Sequence, residues 1–372
     1  MIRGISKIKI ALLILSVFVF GILVFFLNIR AACKVHLGKT LTIGEEPLTI
    51  KKIREANKNY SRPEESTYLT FPEWYIVYSA EEYARVLEKN RPSQFSYFSA
   101  ISQYWCTYNR MYEVTKGRYP FNFGDHAALL VIGVSFSAEN AVKGIYENTF
   151  GRISEWFSFG GTTEEDIYAA NVAREYGSFL YTIPWYEFPF GEKLKDIWRT
   201  TSLWGAHPVR KWERKFILSL EYSIKSVYGF IIKKATKATY GNEDAEIMLW
   251  IENIPKEVLE HEPRIHIVQH VDENTQIVVI PRYKAFTEIV SMLAREKIQF
   301  KEIAGNNEIL LTAIAPQKWK DDLKDSTLLF AMNILTEQDQ KRLAIESPAK
   351  SLQNTLTSLE ASGVKVEHIY DY

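Results

Sequence analysis

Residues 10–27 read IALLILSVFVFGILVFFL, eighteen residues without a charge. As a helix rising 1.5 Å per residue the run is about 27 Å long, enough for the hydrocarbon of a bilayer. It exceeds the ~7–15-residue core of a cleaved signal peptide and ends in Asn28-Ile29-Arg30 instead of a small-residue cleavage site. The expectation is a retained transmembrane helix over 10–28, single-pass, with a basic tail at 1–9. Arg3, Lys7 and Lys9 precede the run; Arg30, Lys34 and Lys39 follow it. That near balance leans towards an inside amino terminus and a periplasmic or extracytoplasmic body.

Lys plus Arg and Asp plus Glu are equal at 45 each, so no global field steers the chain to nucleic acid. The two cysteines are Cys33 and Cys106. With Cys33 beside the membrane, the reading is that they do not pair, and no cysteine metal site is expected.

Aromatic residues divide the chain. Of 51 Phe, Trp and Tyr, 39 lie between Tyr60 and Tyr240. Residues 29–60 read as a charged linker, 61–240 as an aromatic-rich helical domain, and 244–372 as an α+β domain. Helix starts are expected at two capping boxes, Ser79-Ala80-Glu81-Glu82 and Thr162-Thr163-Glu164-Glu165. The first would run to Lys89 and the second to Tyr181. Another helix would run from Pro92 to Tyr112. A fourth, N-capped by Asp125, would carry residues 127–146, and its apolar stretch 127–136 reads as a buried core helix.

Residues 209–237 place Val209, Trp212, Phe216, Leu220, Ile224, Val227 and Ile231 on one stripe. Eight Lys and Arg accompany only Glu213 and Glu221. Either the stripe faces a protein core, or the helix is interfacial, with Arg210, Lys211, Arg214, Lys215, Lys233 and Lys234 on anionic headgroups.

The last third repeats a pattern. Residues 275–306 align without gaps to 341–372, matching Ile277 with Leu343, Val279 with Ile345, Phe286 with Leu352, Val290 with Leu356 and Leu293 with Leu359. Alternation marks a strand and the three-and-four spacing a helix. The expectation is two strand–strand–helix–strand units, ferredoxin-like, over about 264–306 and 327–372. They would share one sheet, extended by strands at 246–252 and 308–315.

No Walker loop, G-x-S-x-G, H-E-x-x-H or G-x-G-x-x-G occurs, and no cofactor is expected. His261, His266 and His270 form the densest histidine group, but on a strand the last two stand ~13 Å apart, too far for one metal. Phe71-Pro72-Glu73-Trp74-Tyr75 and Pro184-Trp185-Tyr186-Glu187-Phe188 share a theme of Glu among aromatics. Facing one another, they would make a ligand pocket from Trp74, Tyr75, Trp185, Tyr186 and His207, or a hydrolase site with Glu73 and Glu187 as acid and base. Weaker catalytic candidates are Asp125, His126, Glu139 and Glu147; the last two also suit a charge ladder with Lys143 on a solvated face. Glu82 and Glu165 read as capping-box members. The leading expectation is a membrane-anchored module that binds a ligand or partner near the bilayer, with membrane lipid and a protein of a membrane assembly as partners.

Overall fold

The computed structural model describes residues 33, 53, 60–237 and 245–371. The tail at 1–9, the apolar run at 10–28 and almost all of the linker lie outside the described residues. The described chain is α+β. Eight helices come first: α1 (Glu64–Leu69), α2 (Phe71–Lys89), α3 (Tyr97–Thr115), α4 (Phe123–Tyr146), α5 (Arg152–Phe157), α6 (Glu164–Phe179), α7 (Phe190–Thr200) and α8 (Pro208–Lys237). A π turn at Glu147–Gly151 joins α4 to α5 into one helix, Phe123–Phe157.

Two expected caps move. Pro72 sits in the first turn of α2, whose φ it presets, so Ser79 falls inside a helix and is buried there. Glu82 faces Arg342 at 3.2 Å and caps nothing. In α6 the box shifts by one residue, with Thr163 capping and Asp166 reaching back. Glu165, freed from that role, is buried against Lys211 and Lys215. Asn122 caps α4 by accepting from the Asp125 N–H, so Asp125 occupies the third helical position.

Two four-stranded antiparallel sheets follow. The first holds β1 (Glu246–Glu252), β2 (His266–His270), β3 (Thr275–Pro281) and β4 (Phe300–Ile303), with α9 (Lys256–His261) and α10 (Lys284–Arg295). The second holds β5 (Glu308–Pro316), β6 (Thr327–Ile334), β7 (Glu337–Pro348) and β8 (Lys365–Ile369), with α11 (Ala349–Ala361). Strand order is β2-β3-β1-β4 in one and β6-β7-β5-β8 in the other, the same order twice. The strands expected to extend one shared sheet, β1 and β5, instead stand inside two separate sheets.

One core joins the two units. Phe286, Val290 and Leu293 of α10 and Leu352, Leu356 and Leu359 of α11 are buried together, and α11 packs on β4 while α10 packs on β8. The strand parity differs from the ungapped alignment. Val278 and Ile280 face this core, whereas Ile277 faces Ile53 and Tyr60 on the other side. Their counterparts are Leu343 and Ile345. Since side chains alternate, a one-residue slip turns every residue to the opposite face.

The second sheet also carries a helical layer on its other face: Leu310, Phe330, Met332 and Tyr370 pack with Tyr68, Phe71, Trp74 and Tyr78. Buried polar contacts secure that seam. Arg342 reaches Glu367 at 2.7 Å as well as Glu82, and Tyr78 Oη lies 2.8 Å from Thr312 Oγ1.

Cys33 and Cys106 form a disulfide, with Cα atoms 5.5 Å apart. This corrects the expectation of unpaired thiols. Cys33 is buried in the helical core beside α3, so nearness in sequence to the apolar run does not hold it away from the body.

Candidate membrane interface

α4 packs through a stripe of His126, Leu129, Gly133, Phe136, Asn140 and Gly144, spaced three and four apart. Two of these are glycines for a steric reason. A Cβ on Gly133 would stand 2.3 Å from the Tyr104 ring, and one on Gly144 would stand 2.9 Å from Tyr97. Small residues therefore let α4 lie close on α3. The rest of α4 is apolar and faces outward: Val131, Val134, Val142 and Ile145 are all exposed. The helix Phe123–Phe157 is the one described helix long and apolar enough to cross a membrane, yet only 28% of its apolar window is buried. The buried-core reading of 127–136 is thus corrected; a soluble core helix would hide most of such a surface.

α8 has the same polarity, inside out. Val209, Trp212, Phe216, Leu220, Ile224, Val227 and Ile231, the whole stripe, are exposed. The cations point inward. Arg210 lies 2.7 Å from Asp166 and donates to Ser154 Oγ at 2.8 Å. Lys211 meets Glu164 and Glu165 at 2.8 and 3.0 Å. Arg214 grips Glu147 in bidentate fashion at 2.9 and 3.0 Å. Lys215 lies 3.3 Å from Glu165 and donates to Thr201 Oγ1 at 2.6 Å. These four are buried, so the expectation that they contact headgroups is corrected: their charge is spent on carboxylates from the π turn, α6 and α8 itself. Lys233 pairs with Glu187, and Lys234 is exposed over the Phe230 ring at 4.6 Å.

The two apolar faces adjoin. Glu139, Lys143 and Glu147 of α4 and its π turn meet Lys225, Glu221 and Arg214 of α8 in turn, which sets the helices antiparallel. Outside this polar seam, Phe150, Ile153 and Phe157 line one shallow depression with Val209 and Phe216. Aromatic residues collect at one end. Trp198 and Trp204 lie 6.3 and 6.2 Å from Trp212, all three exposed. At the end of α5 and just beyond it, Trp156 and Phe159 are 73% and 89% exposed. An apolar face of this extent, ending in tryptophans, has the composition of a surface that meets the acyl–headgroup boundary.

The other sequence candidates are scattered. Trp74 stacks on His368 at 3.5 Å between centroids, and Tyr75 donates to Gln103, both inside the core. Trp185 stacks on Tyr228 at 5.3 Å, with Tyr186 beside it. His207, at φ 55°, lies hard against Gly161. Glu73 keeps an exposed edge; the protein packed around its carboxyl, then Asp125, push its pKa up to about 7. Glu187 pairs with Lys233. Asp125 accepts from Ser66 and Asn122, and His126 is buried against Phe121, Tyr108 and Glu65. Glu147 is buried under Arg214, away from the solvated ladder expected for it. His261, His266 and His270 are exposed, and among the described residues no group of His, Cys, Asp and Glu is placed to hold a metal.

Glu221, Lys225, Glu164 and Asp166 were not singled out by sequence. The i,i+4 spacing of Glu221 and Lys225 was the available signal. No family model, curated protein or solved structure matches this chain.

Proposed function

We propose that this protein is a single-pass membrane-anchored module whose helical half (61–240) seats its outward face on the bilayer. Its double-sheet half (244–372) is then held near the membrane to bind a ligand or partner. The observation that carries this reading is the inversion of α8: seven apolar side chains outward, four cations inward. A cytosol-facing helix with that orientation would expose a large sticky surface, whereas a bilayer covers it without loss of any ion pair. The Cys33–Cys106 disulfide supports an extracytoplasmic body, because such bonds persist in oxidising compartments. We read each sheet unit as ferredoxin-like. In both, the first strand lies between the third and fourth, and the first crossover is a short helix in one unit and residues 317–326 in the other.

Removing residues 1–30 while keeping Cys33 frees the body from its anchor. The truncated protein is expected to pellet with neutral phosphatidylcholine vesicles, and to do so regardless of salt. Recovery entirely in the supernatant overturns the seating. Compartment is read separately, by labelling a Lys350→Cys variant in intact and lysed cells; labelling only after lysis overturns the extracytoplasmic placement.

A further inference from the structure

Across the α4–α8 seam four charges form a closed ring. Lys143 Nζ lies 3.0 Å from Glu139 Oε1 and 2.7 Å from Glu221 Oε1. Lys225 Nζ lies 2.9 and 3.1 Å from the same two oxygens. The shortest contact of each pair is to Oε1. Each ammonium has three donors and the ring engages two. Beside the ring is a cavity of about 100 Å³, walled by Tyr83, Tyr97, Phe136, Tyr176 and Phe190. Lys143 stands over the Tyr83 ring at 5.6 Å and Lys225 over Tyr176 at 5.1 Å. The ring reaches the outside, since the Glu139 side chain is 43% exposed. Its exposed neighbours one turn on are Val142 along α4 and, from Glu221, Ile224 along α8. An aromatic-walled cavity thus has a rim of four charges beside the apolar face.

We propose that this cavity receives the head group of a membrane lipid that is zwitterionic, with a primary ammonium and a phosphate. The inference rests on the face meeting the bilayer. The ammonium binds the carboxylates of Glu139 and Glu221, and the phosphate takes the remaining donor of each lysine. Charge-assisted contacts of this kind are the strong ones. The ring is neutral, so a neutral head group leaves no uncompensated charge, whereas an anionic one does. At about 100 Å³ the cavity lies well below the ~300 Å³ at which whole drug-sized ligands fit. Only the head group enters, and the acyl chains lie along Val142 and Ile224.

The test uses the full chain in a nonionic detergent, titrated calorimetrically with dihexanoyl-phosphatidylethanolamine, dihexanoyl-phosphatidylglycerol and free phosphoethanolamine. The expected result is saturable binding of the ethanolamine lipid, about tenfold or more tighter than the glycerol lipid. Ala173→Leu fills the cavity wall and keeps all four charges; it is expected to weaken binding about tenfold while the circular dichroism and melting curve stay native. Lys225→Met is expected to weaken binding about tenfold as well, with a lowered melting temperature because Glu139 and Glu221 lose a shared partner. Equal affinity for the two lipids, or unchanged affinity in Ala173→Leu, overturns the proposal. Free phosphoethanolamine binding as tightly as the lipid overturns the lipid source and makes the ligand a soluble zwitterion. Short-chain lipids need no vesicle, so head-group binding can fail while seating on vesicles holds, and the reverse.

Discussion

Two substitutions on the outward stripe, Phe216→Glu and Ile224→Glu, separate a bilayer-seated face from an incidental apolar one. Both side chains are exposed, 64% and 60%, and neither takes part in an ion pair of the seam. Full burial of a Phe or Ile side chain is worth ~1.5–3 kcal/mol, so the outward fraction is worth roughly 1–2 kcal/mol each on entering the acyl boundary. Losing both removes about 2–4 kcal/mol, a roughly 30- to 1,000-fold weaker partition into vesicles, and the two new carboxylates add to the loss. The fold should be indifferent, because exposed substitutions usually stay within ~0.5 kcal/mol. The assay is sedimentation of the protein lacking residues 1–30 with neutral vesicles, at about 50 and 500 mM salt, which brackets strong screening. Undiminished binding of the double variant would falsify the seating. Binding that falls steeply with salt would refute its apolar character, since four of the six cations expected at headgroups are buried.

Other consequences follow from buried charge and covalent closure. Arg214→Met leaves Glu147 buried without its bidentate partner and is expected to destabilise by ~3–5 kcal/mol, with most of it recovered when Glu147 is also replaced by Met; thermal melts of the single and double variants decide. The disulfide closes a loop with a sequence separation of 73, so Cys33→Ser with Cys106→Ser should lower stability by about 4 kcal/mol on the chain-entropy estimate. Urea titrations check this, and free-thiol counts without reductant should read zero for the unsubstituted chain. His368 is buried and its pKa is pushed down to about 3 from 6.5, chiefly by burial. Between those values the unfolded chain binds a proton that the folded chain does not. Stability therefore falls as pH drops from 6.5 towards 3, by up to ~1.4 kcal/mol per unit. His368→Gln should flatten that slope, and an unchanged slope would place its origin elsewhere.

Much of the sheet half is legible in order. Strand β1 begins and ends at Glu246 and Glu252 as the pattern implies, and the helix positions 286, 290, 293 and 352, 356, 359 are all buried. Each of these helices carries a single apolar stripe, so the period alone points to the buried face whatever packs on it. Strand parity was less legible. In β3, Val278 and Ile280 look into the shared core while Ile277 looks the other way, and a run with apolar residues on both faces carries no mark of which is which. The false cap at Ser79 has a similar cause: the motif is intact, but Pro72 starts the helix a full two turns earlier. Of the candidate site, Glu139 with Lys143 and Glu221 with Lys225 each show the i,i+4 spacing, but that α4 and α8 bring the two pairs into one ring is a long-range fact.

By itself the sequence determined a chain with one long uncharged apolar run, an aromatic helical half and a doubled α+β half, because hydrophobic length and period are local properties. It also determined that α8 has an apolar stripe and a basic stripe. Only the tertiary structure decided which stripe faces out. The cations of α8 are drawn inward by Glu147, Glu164, Glu165 and Asp166, residues more than forty positions away, and where the cations go the apolar stripe must turn to the outside. The disulfide is of the same kind: two cysteines 73 apart are neighbours only once α3 is packed. Period sets how a helix divides into faces, and the partners that meet those faces set their direction.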